Sequence, residues 1–138
     1  MPTMFVAKSD SQQGWASDVG LTRHVYKLGL SADGAEAAVD AFNAESHAGR
    51  SDWTLLAAQE TAETDEEALF RRVARKETMV DPTYYPQLKR ARGIFKVKLA
   101  NVENHLLVKE ALEGHPPRKT KAPTAAQIAA YLLRLAAG

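Results

Sequence analysis

The sequence has no cysteine among its 138 residues. Disulfide bonds, thiolate nucleophiles and cysteine zinc sites are therefore excluded, and a reducing, cytoplasmic location is the expectation. The chain also lacks an apolar run near the roughly 18 residues that a membrane-spanning helix needs. Its first residues lack the basic and then apolar order of a signal peptide. With 45% hydrophobic and 25% charged residues, the composition predicts one globular domain with no membrane segment.

Several common functional motifs are absent as well. The eight glycines are scattered, so no phosphate loop of the Walker or dinucleotide-binding type is present. The four histidines show no spacing typical of metal ligands. No G-x-S-x-G pattern supports a serine nucleophile. These absences exclude no fold, but they leave no standard catalytic motif.

Charge is distributed unevenly along the chain, although the formal net charge is only +1. Residues 1–70 carry four basic and twelve acidic side chains, a balance of −8. Residues 71–138 carry fourteen basic and five acidic side chains, a balance of +9. Such asymmetry indicates either contact with nucleic acid or pairing of the two halves within the fold, and both interpretations stay open.

Hydrophobic periodicity predicts an α+β fold, a small mixed or antiparallel sheet with helices packed on it. Residues 9–22 are rich in Ser, Asp, Gln and Gly, which predicts a loop with Trp15 as its apolar anchor. The predicted strands are residues 4–8, 24–30, 53–60 and 93–99, and the predicted helices follow the capping residues Ser31 or Asp33, Thr64 or Asp65, Asn101, and Thr124.

The C-terminal part of the chain is predicted to be distinct from the rest. Residues 1–114 form the predicted α+β domain, residues 115–123 a basic, proline-containing linker, and residues 124–138 an amphipathic helix. The apolar stripe of this helix includes Ile128, Leu132 and Leu135, and it either docks on the domain or meets a partner. On the second alternative, the protein is an interaction adaptor or self-associates through this helix.

Residues 25–31, with the sequence VYKLGLS, resemble the second strand of the GIY-YIG nuclease superfamily, in particular its phage-type DNA-binding branch. Residues 5–7 stand where that family carries Gly-Ile-Tyr, and residues 93–97 resemble its closing strand. The helix after Ser31, the strand at residues 53–59 and the helix with Glu67 follow in the family's order. The resemblance covers roughly residues 3–112 and implies a GIY-YIG-like domain that binds nucleic acid, with DNA as the expected form.

The resemblance also implies candidate catalytic residues. In this family one divalent metal ion is held mainly by a glutamate on a helix, and Glu67 matches that position, with Glu66 as the neighbour that could be confused with it. A lone carboxylate is compatible with Mg²⁺, which keeps several of its waters. At the second motif, where the family has a tyrosine that helps to activate water, the chain has Tyr26 and Lys27. If the protein is active, the implied site is therefore Tyr26, Lys27 and Glu67, with Mg²⁺ on Glu67.

Two departures from the family pattern bear on catalysis. Phe5 has no hydroxyl group, and no arginine lies near Ala37, where the family's helix arginine stabilises charge on the phosphate. Arg23 or Arg50 could supply that charge from a loop. The resemblance therefore favours nucleic-acid binding with weakened or lost catalysis, and a Mg²⁺-dependent endonuclease is the alternative.

Binding requires only cations for phosphates and aromatic faces for unpaired bases, and residues 71–98 offer both. The alternative is that the tyrosines pack beneath their loop and the cations form surface ion pairs. The predicted nucleic-acid-binding residues are Arg71, Arg72, Arg75, Tyr84, Tyr85, Lys89, Arg90, Arg92, Lys96 and Lys98.

Overall fold

A computed structural model describes residues 1–114 and 122–138. It confirms the α+β fold class, with helices packed on both faces of an antiparallel sheet. Single 3-10 turns lie at His47–Gly49 and Pro86–Leu88. The strands are β1 (Thr3–Ser9), β2 (Val25–Ser31), β3 (Trp53–Glu60), β4 (Thr78–Met79) and β5 (Ile94–Lys96). The helices are α1 (Asp10–Asp18), α2 (Ala35–Glu45), α3 (Glu66–Val73), α4 (Leu99–Leu112) and α5 (Ala125–Ala137).

The sheet has the order β3-β1-β2-β5-β4, and every pair of neighbours is antiparallel. Successive side chains of a strand point to opposite faces, so each strand contributes to two cores. Met4 and Tyr26 belong to the core beneath α3, α4 and α5. Phe5 and Val25 belong to the core beneath α1, α2 and the two 3-10 turns. Both faces of the central strands β1 and β2 are therefore buried.

The prediction of a loop at residues 9–22 was wrong for its first half, which forms α1. Ser9 caps this helix by accepting a hydrogen bond from the Gln12 amide at 3.1 Å, and Ala16 is buried beneath it. The helix is hard to predict from its short, largely polar sequence, because its two buried residues are Gln12 and Ala16 and only one of them is apolar. Strand β4 was not predicted, since two residues are too few to establish a period.

Several predicted helix starts also differ. Gly34 precedes α2 without a side-chain cap, in place of Ser31 or Asp33. Lys98 occupies the cap position of α4, and the predicted cap, Asn101, lies inside the helix. The Asn101 amide donates to a carboxylate oxygen of Glu77 at 3.0 Å. The cap predictions for α3 and α5 are confirmed, through Asp65 and a Thr124–Gln127 capping box.

Helix α5 packs on the same chain, against α3, β3 and β1. Ile128 and Leu132 are fully buried in this contact, and Leu135 is partly buried. The chain's own core therefore covers Ile128 and Leu132, and of the three side chains predicted to make a self-association or adaptor contact only Leu135 keeps exposed surface. Most of the predicted linker, residues 115–121, lies outside the described residues.

Glu77 joins the end of α3 to both C-terminal helices. Its buried carboxylate accepts from the Lys98 amide at 2.8 Å and from the Tyr131 hydroxyl at 2.7 Å. Burial raises the pKa of Tyr131, and the hydrogen bond to Glu77 raises it further. Among the described residues, no helix combines the length and apolar character that a membrane crossing requires.

Candidate functional site

The strongest candidate site lies where β2 and β5 separate. Their pairing ends at Lys27 opposite Ile94, followed by a hydrogen bond of 2.8 Å from the Leu28 amide to the Gly93 carbonyl. Further along β2, the Leu30 amide donates to a carboxylate oxygen of Glu66 at 2.8 Å. The first turn of α3 thus replaces the missing strand neighbour, and it brings the acidic pair Glu66 and Glu67 towards Lys27.

Two glycines permit this close approach. At Gly93, φ is +81°, and a Cβ atom would lie 2.6 Å from the Leu28 carbonyl oxygen and from the Phe70 ring. At Gly29, a Cβ atom would lie 2.5 Å from the ring of Phe5. The Phe5 side chain therefore covers the backbone of β2 at the site.

Lys27 is buried, with 5% of its surface exposed. Its ammonium group donates to the main-chain carbonyl of Arg92 at 2.5 Å and lies 5.7 Å from the ring centres of both Phe42 and Phe70. Burial lowers the pKa of Lys27 to about 8, and the charges of Glu66 and Glu67 act in the opposite direction. A lysine with this pKa exchanges its proton much closer to neutral pH than an exposed one.

Arg92 connects the two predicted residues Lys27 and Glu67. Its carbonyl accepts from Lys27, and its guanidinium donates to a carboxylate oxygen of Glu67 at 2.8 Å. The ion pair is half exposed, at 53% for Arg92 and 46% for Glu67. Arg92 is therefore the cation of this cluster that a molecule from solution meets first, since Lys27 lies behind it.

His47 lies near Lys27 on the α2 side of the site. Its ring stacks on Phe42 with centroids 4.1 Å apart, and its main-chain carbonyl accepts from the Trp53 indole at 3.0 Å. Its Nε2 atom is buried and has no hydrogen-bond partner among the described residues. Burial, and then the charge of Lys27, lower the pKa of His47 to about 4, so the ring is neutral at physiological pH.

Backbone strain is concentrated in the two turns beside this cluster. Within residues 1–114 and 122–138, the non-glycine residues with positive φ are Ser46, Ala48, Lys89 and Arg90. They belong to two turns that pack on each other, with the Gln87 carbonyl oxygen only 3.0 Å from a Cβ position on Gly49. Such conformations are unfavourable for L residues and cluster at functional sites. Ser46 ends α2 and Lys89 ends the second 3-10 turn, positions where a left-handed residue is common, whereas Ala48 and Arg90 do not hold such cap positions.

Of the predicted nucleic-acid-binding residues, Lys89, Arg90 and Arg92 lie in one loop beside the cluster, here named the cationic loop (residues 89–92). All three are exposed. Arg71 is also exposed, on α3, and lies 3.7 Å from a carboxylate oxygen of Asp65.

The remaining predicted residues lie in other places. Tyr84 is 77% exposed, whereas Tyr85 packs edge-on against Trp15. Lys96 and Lys98 line a groove of about 590 Å³ next to His24. Arg72 and Arg75 line a second groove, formed by α3, α4 and α5, and Arg72 is paired with Glu63 at 2.6 Å. The ten residues therefore do not form one continuous surface.

Tyr26, predicted as catalytic, does not reach the cluster. It is buried in the core beneath α3, α4 and α5, and burial raises the pKa of its hydroxyl group. The alternation of β2 directs Tyr26 and Lys27 to opposite faces of the sheet. Tyr26 therefore acts as a core residue, and Lys27 alone represents this motif at the site.

The carboxylates present do not form a ready metal site. One oxygen of Glu66 is taken by the Leu30 amide, and one oxygen of Glu67 is taken by Arg92. In the part of the chain that the structure describes, no three His, Asp or Glu residues cluster as metal ligands do. While Arg92 holds one oxygen of Glu67, the carboxylate has only its second oxygen with which to hold Mg²⁺. The cluster as it stands has two cations beside two carboxylates, and both carboxylates already accept hydrogen bonds from the chain.

Sequence reasoning missed the parts of the site that come from distant segments. Arg92 was predicted to bind nucleic acid, but its contacts with Lys27 and Glu67 depend on how β5 leaves β2. His47 carried no motif, and its position against Phe42 and Trp53 follows from tertiary packing alone. Comparison with known proteins adds no family: no family model, no curated protein and no solved structure matches the chain.

Proposed function

We propose that this protein is a nucleic-acid-binding domain of GIY-YIG-like character that contacts backbone phosphates through the cationic loop (residues 89–92). The observation that supports this most is the double attachment of Arg92 to Lys27 and Glu67. It places a basic loop beside a buried lysine, an acidic helix start and two turns with left-handed residues.

The charges of this region favour a phosphate ligand. Among the described residues, no carboxylate lies within salt-bridge distance of Lys89 or Arg90. Arg92 is paired with Glu67, but the pair is half exposed, and exposed ion pairs are weak. A backbone phosphate can therefore become the partner of Lys89 and Arg90 directly and compete with Glu67 for Arg92.

The exposed ring of Tyr84 supports the same proposal. It lies five residues before Lys89 in the same connection between β4 and β5, and 77% of its surface is open to solvent. Aromatic faces stack on unpaired bases without regard to sequence. A basic loop with an aromatic ring nearby is suited to a flexible or partly unpaired strand.

Binding can be measured by fluorescence anisotropy with a labelled duplex and a labelled single strand over a salt series. The informative variant is Lys89→Asn/Arg90→Asn, because asparagine tolerates the positive φ at both positions. We expect at least about a tenfold loss of affinity for this variant, since two phosphate contacts are removed. The matched control is Arg75→Asn/Lys98→Asn, which removes two exposed cations located elsewhere, and we expect it to bind like the wild type.

Two results would overturn the proposal. One is the absence of salt-dependent binding of either nucleic acid by the wild-type protein. The other is an equal loss of affinity in both double variants, which would show that the cationic loop has no special role.

A Mg²⁺-dependent endonuclease is the second candidate function. The observation that favours it is Lys27, a buried amine with a pKa of about 8 between aromatic rings and beside two carboxylates. Strongly shifted pKa values of this kind are enriched at sites of acid–base chemistry. Incubation of supercoiled plasmid with Mg²⁺ or Mn²⁺ tests it, with Glu67→Gln and Lys27→Met as the variants. Nicking that is absent with both ions, or unchanged in both variants, would reject this candidate.

A further inference from the structure

The helices α3, α4 and α5 enclose a groove of about 900 Å³ on the opposite side of the sheet from α2. It is here named the α3–α4–α5 groove, and it shares no lining residue with the groove of Lys96 and Lys98. Its cationic lining residues are Arg72, Arg75, Lys76, Lys109 and Arg134.

Four of these cations are not neutralised. Arg75, Lys76, Lys109 and Arg134 are exposed, and no carboxylate of residues 1–114 or 122–138 lies within salt-bridge distance of them. The remaining segment, residues 115–121, contains no acidic residue in its sequence. Burial, and then the charges of Lys109 and Arg134, lower the pKa of His105, which also lines the groove. Among the described lining residues, Glu113 is the only carboxylate, against five cationic side chains, so the formal charge of the groove is positive.

The same groove exposes large apolar side chains. Val108 and Leu112 line it, and Leu112 is 83% exposed. Leu107, next to them on α4, is also exposed. Val102 of α4 is fully buried and Leu99 and Leu106 are partly buried against the core, whereas Leu107, Val108 and Leu112 are exposed. An exposed apolar patch beside a polar rim typically marks an interaction site.

The combination of cations and apolar side chains indicates which kind of molecule the groove binds. A nucleic acid pairs with the cations but does not cover Val108 and Leu112. A lipid surface is met by a protruding apolar face, whereas these side chains border a concavity. A second copy offers acidic residues on α1 and α2, but the exposed positions of those two helices carry no large apolar side chain. The α4 helix of a second copy does expose apolar side chains, but it would also bring its own exposed Lys109 towards the cations of the groove.

We infer that the α3–α4–α5 groove binds an acidic amphipathic helix of another protein. The apolar stripe of that helix covers Val108 and Leu112, and its carboxylates pair with Arg75, Lys109 and Arg134. Such a helix in a groove is a recurrent mode of recognition. α4 is about 21 Å long at 1.5 Å per residue, so a partner segment of about ten to fourteen residues matches it.

The experiment is a selection of displayed 14-residue peptides on the full-length wild-type protein, followed by anisotropy measurements with the most enriched peptide. We expect enriched sequences to combine Asp or Glu with apolar residues three and four apart. A peptide of the same composition in permuted order should bind at least about tenfold more weakly, because only the ordered sequence forms an apolar stripe. The groove variants are Lys109→Glu/Arg134→Glu and Leu112→Ser, all at exposed or largely exposed positions.

We expect each groove variant to lower peptide affinity at least about fivefold, and the matched control Arg23→Glu/Lys98→Glu to leave it unchanged. Thermal melting of all variants verifies that they are folded. The inference is overturned if no peptide is enriched, if the permuted peptide binds equally well, or if the groove variants keep full affinity. It is also overturned if the groove variants lose duplex binding instead, or if anionic vesicles compete for the groove.

This inference is independent of the proposed function, because it concerns other residues. The variant Lys89→Asn/Arg90→Asn should retain peptide binding even where it loses nucleic acid. Failure of one proposal is therefore distinguishable from failure of the other.

Discussion

The side-chain ammonium of Lys27 is held by the main-chain carbonyl of Arg92, at 2.5 Å, rather than by a carboxylate. A buried cation satisfied by a neutral dipole is only partly compensated, which is why burial outweighs the nearby Glu66 and Glu67 and the pKa of Lys27 falls. The protonation of Lys27 therefore depends directly on how closely the site around it is packed.

The stability of the fold should rise with pH as Lys27 loses its proton. The pKa of Lys27 falls from 10.5 to about 8 on folding, so between these values the unfolded chain binds more protons than the native protein. At about 1.4 kcal/mol per pH unit, the native protein gains about 3 kcal/mol over this window. The variant Lys27→Met lacks the effect, and urea unfolding of both proteins from about pH 7 to pH 10.5 measures it. A stability difference that does not change with pH would contradict this assignment.

His47 should make the protein sensitive to acid. Its pKa falls from 6.5 to about 4 on folding, so the unfolded chain takes up more protons as the pH drops through this window, and stability is lost. The variant His47→Phe retains a ring to stack on Phe42 and removes the unpartnered nitrogen. We expect it to be at least as stable as the wild type at neutral pH and to lose less stability on acidification. Denaturation midpoints at several pH values test this, and parallel curves would exclude His47 as the cause.

Gly93→Ala should be far more destabilising than Gly20→Ala. Both glycines have similar positive φ values, +81° and +86°, but a Cβ atom on Gly20 meets no atom within 4 Å. Gly20→Ala therefore reports backbone strain alone, about 1–2 kcal/mol. Gly93→Ala adds a collision with the Leu28 carbonyl and the Phe70 ring, which raises the loss to about 3 kcal/mol or more. If chemical denaturation shows that both variants lose the same free energy of unfolding, the surroundings of Gly93 are less tightly packed than described here.

Tyr131→Phe should weaken the link between α5 and the end of α3. The hydroxyl group of Tyr131 donates to the buried carboxylate of Glu77 at 2.7 Å, and without it Glu77 loses one of its donors. We expect a loss of about 1–3 kcal/mol in the free energy of unfolding. The control is Tyr84→Phe at an exposed ring, where the change should stay within about 0.5 kcal/mol. A neutral Tyr131→Phe would mean that Glu77 finds another donor.

The strands were predictable because their alternation is local. The strands at residues 4–8, 24–30 and 53–60 were placed correctly: β1 extends its range by one residue at each end, β2 is shifted by one residue, and β3 has the predicted bounds. Helix α1 was not predicted, because it is stabilised by the Ser9 cap and by the burial of Ala16 in the core that also contains Phe5 and Val25. The docking of α5 was left open by its sequence, since an apolar stripe looks the same whether the partner is internal or external.

The candidate site was only partly predictable, because some of its residues are brought together by tertiary packing and not by a local sequence pattern. Lys27 and Glu67 were selected from the family resemblance, and the structure brings them to one cluster. Arg92 joins them because the residues just before β5 stay beside β2, through the hydrogen bond from Leu28 to Gly93. His47 joins them because its turn lies close enough for the charge of Lys27 to lower the pKa of His47. Lys98 and Arg75 are close to the cationic loop in sequence but line separate grooves, since charge runs along a chain do not specify a surface.

The left-handed residues Ser46, Ala48, Lys89 and Arg90 have a thermodynamic consequence for recognition. The resting fold carries about 1–2 kcal/mol of conformational cost at each of them. A ligand that lets even one of these residues return to a right-handed conformation recovers that free energy as affinity. Such a ligand would bind more tightly than its direct contacts account for, by up to about a factor of thirty for each residue relaxed.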